Sequence, residues 1–143
     1  MTALDTIAAL FQAAGHPDIT AVERYGRDGQ SVVVRYRPKA EAFFEPSKAK
    51  SSPVELPEIL PPYRFRAQHA LKLLVDLLEV AKPAGITGWR TVGIDGVDLA
   101  PCGIELRTDS GVVLLRVTAG SPTLLDADPQ EWADWRPPDP LQV

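Results

Sequence analysis

The sequence predicts an α+β domain, in which one mostly antiparallel sheet carries two helices on one face. Three observations predict it. Two stretches, 3–14 and 62–81, repeat apolar residues at helical spacing. Runs within 19–37 and 88–119 are rich in β-branched and aromatic residues and are parted by turn signals. A shift of 67 residues lays the first half of this pattern over the second.

Taken in order, Thr2 is a helix cap with Asp5 three residues on, approximating a capping box. Leu4, Ile7, Ala8, Phe11 and Ala14 form one helix face, and Gly15 and Pro17 end it. Two β-rich runs then flank Gly26-Arg-Asp-Gly29, which predicts a hairpin. Pro38 is expected to end the second strand, because proline cannot donate to a ladder. Six of the fourteen prolines lie from Pro38 to Pro62, and "EPSKAKSSP" is polar and simple, so 46–61 is expected to be a mobile loop. Pro61-Pro62 opens the second helix. Its inward face is Ala67, Leu71, Leu74, Leu78 and Ala81; Gln68, Lys72, Asp76 and Glu79 are expected to meet water. Pro83 and Gly85 stop it. Three strands follow, "GWRTVGID", "GIELRT" and "VVLLRVTA", the last two joined by a tight turn at Thr108-Asp-Ser-Gly111. Asp128-Pro-Gln-Glu131 predicts a short tail helix bearing Trp132 and Trp135. The expected organisation is a single domain: an α-β-β unit (1–45), the loop (46–61), an α-β-β-β unit (62–125) and a Trp/Pro tail (126–143).

The 67-residue shift matches Leu10 to Leu77, Ala14 to Ala81, Ile19 to Ile86, Thr20 to Thr87 and the glycines and aspartate of Gly26-x-Asp28-Gly29 to those of Gly93-x-Asp95-Gly96. It also lays one helix face on the other, Leu4 on Leu71, Ile7 on Leu74 and Phe11 on Leu78. An internal duplication is the expectation. Two such units would share one sheet, since neither covers its own well.

The chain has 143 residues and a net charge of -4, with 45% hydrophobic and 24% charged residues, the composition of an ordinary globular domain. No apolar run is long enough to cross a bilayer. The opening "MTALDTIAALFQ" carries Asp5 and no basic region, unlike a secretory leader. One cysteine, Cys102, supports no internal disulfide framework, and a cytoplasmic location is expected.

Catalytic signals are weak. No phosphate-binding glycine motif occurs. His16 and His69 are far apart, and with one cysteine no zinc set forms, so no metal or cofactor is expected. Cys102 has no base beside it in sequence and reads as a small buried thiol. Asp95, Asp98, Glu105 and Asp109 form one acidic cluster, but Asp95 and Asp109 precede turn glycines or lie in a turn, where aspartate is expected for backbone reasons.

The most informative stretch is "SVVVRYRPK". Alternation puts Val32, Val34 and Tyr36 on one face of the strand and Val33, Arg35 and Arg37 on the other, with Lys39 beyond. Arg107 and Arg116 fall on the polar face of the later strands by the same rule. Residues 24–50 hold seven cations against three anions, whereas 76–143 hold five against eleven. Charges on strands block edge-to-edge pairing, and arginine stems shield apolar surface. They also suit a protein interface, and Trp132 and Trp135 add aromatic anchors of the kind found at hot spots, unless both dock on their own domain. The expected function is therefore a non-enzymatic protein-interaction domain that binds itself or another protein through Arg35, Arg37, Lys39, Arg107, Arg116, Trp132 and Trp135. One alternative is a single-stranded nucleic-acid binder, with Tyr25 and Trp89 as stacking platforms, although a pI of about 5.1 argues against it. Another is a small-molecule enzyme built on the acidic cluster.

Overall fold

The computed structural model describes residues 2–36, 40–56, 66–94, 102–120 and 135–141. Among these, the fold is α+β: an antiparallel seven-stranded sheet with two helices. The first helix, α1, is Ala3–Ala14. Thr2 and Asp5 form the capping box in full: the Thr2 hydroxyl accepts from the Asp5 N–H at 3.2 Å and the Asp5 carboxylate accepts from the Thr2 N–H at 3.0 Å. Gly15 closes the helix at φ 63°, a left-handed conformation that costs glycine little. Strands β1 (Ile19–Tyr25) and β2 (Ser31–Tyr36) make the expected hairpin. Its turn, Arg27–Gly29, holds Asp28 and Gly29 at positive φ.

Two strands were not expected. The chain returns after β2 as β3 (Ala40–Pro46), antiparallel to it, with Val34 opposite Ala42 and Val32 opposite Phe44. Pro38, expected to end the second strand, lies outside the described residues. Ala42 and Phe44 are fully buried, so "EAFFE" is a strand with a core side. Within the expected mobile loop lies β4 (Ser51–Pro53), an edge strand on β5 (Gly88–Ile94). It is held further by the Val54 N–H donating to the Thr91 carbonyl at 3.1 Å and by the Thr91 hydroxyl donating to the Val54 carbonyl at 2.6 Å. At an edge, Pro53 has no partner to disappoint on its outer side.

The second helix, α2, is Arg66–Ala81; Pro61 and Pro62 lie outside the described residues. After β5 come β6 (Cys102–Thr108) and β7 (Gly111–Gly120), joined by the predicted tight turn. The expected tail helix up to residue 134 is outside the described residues; 135–141 is not helical.

The sheet order is β1-β2-β3-β7-β6-β5-β4. The centre is the pairing of β3 with β7, Phe44 opposite Val117 and Glu45 opposite Arg116. Both helices touch each other and the same side of the sheet, α1 over β1 and β2, α2 over β7, β3 and β6. One core results: Ile7, Leu10 and Phe11 of α1 and Leu71, Leu74, Leu77 and Leu78 of α2 pack on Val32, Val34, Phe44, Ile104, Leu106, Leu115 and Val117. Phe11 and Phe44 meet with ring centroids 5.4 Å apart. The helix faces read from sequence pack on the core, Leu4, Ala67 and Ala81 only partly buried, while Gln68, expected in water, is buried.

Candidate functional site

Side chains alternate along a strand, and residues opposed in register share a face. Since Val32, Val34 and Tyr36 enter the core, Ser31, Val33 and Arg35 stand on the side that carries no helix among the described residues, here called the helix-free side. The registers carry that side across the sheet. It bears Ala21, Glu23 and Tyr25 of β1, Glu41, Phe43 and Glu45 of β3, and Val112, Leu114, Arg116 and Thr118 of β7. Gly103, Glu105 and Arg107 of β6, with Arg90 and Val92 of β5, complete it.

Arg35 thus sits where the sequence placed it, and its ion-pair partners among the described residues are two carboxylates. Its guanidinium lies 3.8 Å from Glu23 and 3.6 Å from Glu41, one carboxylate on each neighbouring strand. The Arg35 Nε is screened from water yet makes no hydrogen bond, so the attraction there is coulombic. On the other half, Arg90 donates to Glu105 at 2.6 Å, and the other Glu105 oxygen accepts from the Ser51 hydroxyl at 3.1 Å. Arg116 stands opposite Glu45. Arg107 lays its stem over Gly88, its Cδ 3.5 Å from where a Cβ would be. Arginines and glutamates alternate across the face, and Arg35, Arg90, Arg107 and Arg116 are matched by Glu23, Glu41, Glu45 and Glu105.

Apolar groups fill the gaps. Tyr25 and Phe43 meet at 5.2 Å between ring centroids. Tyr25 is 48% exposed and Val112 63%, the large hydrophobic side chains most open to water among the described residues, and both are on this face. Val33 is buried beneath its neighbours. Val92 and Ile94, at the corner near β4, are buried as well, so the accessible part of the face is centred on β1, β2, β3, β7 and the adjoining ends of β6 and β5.

The remaining expected site residues divide. Arg37, Lys39 and Trp132 lie outside the described residues, as do Asp95 and Asp98. Trp135 is not on the helix-free face; it is half-buried against the core, its ring 4.6 Å from that of His16. It therefore docks on its own domain, followed by Leu141, which is buried in the same core. His16 is held below its ordinary pKa by burial, and its Nδ1 accepts from the Asp18 N–H at 3.1 Å. Cys102 is buried on β6, with its thiol pushed up to about 12 by desolvation, as expected of a packing residue. Glu105 is engaged by Arg90 and Ser51, and Asp109 is exposed in the turn. Among the described residues, no group of histidine, cysteine and carboxylates is arranged to hold a metal ion. No helix among them is long and apolar enough to cross a membrane.

Sequence reasoning missed the glutamates that accompany Arg35 and the exposure of Val112; Tyr25 it offered only as a stacking platform. The signal was present in "EAFFE": once it is a strand, period two puts Glu41, Phe43 and Glu45 on one side.

Fold and face together define a class, an α+β domain whose sheet has a mixed-charge side that carries no helix among the described residues. No protein-family model matches the chain, and no curated protein or solved structure matches it.

Proposed function

We propose that this protein is a protein-interaction domain that associates with itself through the helix-free side of its sheet. The observation that carries the reading is the composition of that side: Tyr25 and Val112 exposed among arginines and glutamates that balance one another. Arginine and tyrosine are enriched at interface cores, and a charge-balanced surface with apolar relief is what a protein partner fits. A cytoplasmic setting belongs to the same proposal. Sedimentation velocity over a range of micromolar concentrations tests it. The expected result is a species of twice the 15.6 kDa chain mass that dissociates on dilution. A 15.6 kDa species at every concentration and salt level overturns it.

We also infer that the two α-β-β-β units, α1 with β1–β3 and α2 with β5–β7, arose by duplication. The ladders support this. Glu23 opposes Val33, which opposes Phe43; Arg90 opposes Glu105, which opposes Leu114. The 67-residue shift carries Glu23 onto Arg90, and each then leads through two antiparallel partners toward the seam where Glu45 faces Arg116, with the later strands offset by a further four or five residues.

A further inference from the structure

The balance of charge on the helix-free side hides a division. The strands left of centre, β1 to β3, present Glu23, Glu41 and Glu45 against Arg35. Those right of centre, β7 to β5, present Arg90, Arg107 and Arg116 against Glu105. Among the described residues of this face, one half is net anionic and the other net cationic, and the border is the β3–β7 seam. At one position matched by the 67-residue shift the sign is reversed outright, Glu23 against Arg90, and across the seam Glu45 faces Arg116. Each half also carries an exposed apolar residue, Tyr25 on the anionic half and Val112 on the cationic one.

A surface split in this way is complementary to itself. We propose that the occupant of this face is a second copy of the chain, in a closed two-fold dimer that sets the anionic half of each copy on the cationic half of the other. The proposal rests on the self-association reading and adds the surface and the symmetry. The symmetry follows from the charges. In an isologous pair the same patch serves both partners. A two-fold axis lying between the two sheets, near Glu45 and Arg116 and at right angles to the line joining the charged halves, brings unlike halves together. An axis along that line would set like on like, which costs several kcal/mol of repulsion. The internal pairs, Arg35 with Glu23 and Glu41 and Arg90 with Glu105, keep three of the four carboxylates and two of the four guanidiniums paired when water leaves the interface.

The test is a charge exchange between halves. The variant E23K/E45K makes both halves cationic, and R107E/R116E makes both anionic. Each alone is expected to run at 15.6 kDa where the wild type runs at twice that mass, and an equimolar mixture is expected to recover the doubled mass as a heterodimer. Circular dichroism and thermal melts establish that each variant is folded. Should a reversal prevent folding, the neutral variants E23Q/E45Q and R107Q/R116Q replace it. Each of these is then expected to weaken dimerisation by at least about tenfold, the effect shrinking as salt rises toward ~1 M, where charges more than about 3 Å apart are screened. A wild-type dimer indifferent to all these changes overturns this interface while sparing self-association. Monomeric reversals that stay monomeric when mixed overturn the pairing of unlike halves. A monomeric wild type overturns both.

Discussion

Gly103 occupies a place on β6 where any Cβ would lie 2.6 Å from the Leu115 carbonyl oxygen and 3.2 Å from Ile94 Cδ1. Backbone on β7 cannot yield to it without opening the central ladder. Gly103→Ala is therefore expected to destabilise the fold by about 1–3 kcal/mol, the usual cost of overfilling a packed site. A urea melt with an unchanged midpoint would contradict the close approach. Nothing in "PCGIELRT" announces this. A glycine at the head of a strand reads as punctuation, and the group that excludes a side chain belongs to a different strand. The same limit applied to Arg35. Its face was legible from alternation alone, whereas Glu23 and Glu41 became its partners through registers set by two hairpins.

The helices were the most legible elements, since their signals are local. For α1, cap, apolar stripe and stop could all be read within sixteen residues of sequence, and Arg24 of β1 adds an ion pair to the capping Asp5. Thr2→Ala removes the acceptor for the Asp5 N–H and is expected to cost about 1 kcal/mol. Thermal unfolding should show it as a small drop in Tm with unchanged cooperativity; no drop would mean that packing alone holds the first turn. The hairpins were legible from turn chemistry. β3 and β4 were not, because prolines crowd 38–62 and each argues locally against a ladder. What decides is where the proline falls: Pro46 lies at a strand end and Pro53 on an edge. Those places depend on sheet order, which no window of sequence contains. Sheet order also hid the candidate face, since its two charged halves come from units separated along the chain.

At the scale of the molecule, the end of the described chain is clasped to its beginning. Trp135 packs on His16 at the exit of α1, and Leu141 enters the core. The clasp requires a neutral imidazole: His16 Nδ1 accepts the Asp18 N–H, and burial lowers its pKa below the ordinary 6.5. The unfolded chain therefore takes up a proton more readily than the folded one. Stability from this site is complete above about pH 6.5 and is lost as pH falls toward the depressed folded value. Melting temperature is expected to decline from about pH 7 to about pH 5, and His16→Asn should flatten that decline. Identical slopes for the two proteins would remove His16 from the account.

The β3–β7 seam also bears on synthesis. β7 is made last of the described strands, yet it occupies the middle of the sheet. As the polypeptide leaves the ribosome, β3 must wait with one backbone edge bare and with Phe44 short of a neighbour until most of the chain has emerged. The nascent protein is exposed to misassembly for that whole interval, and the last strand to arrive is what joins its two halves.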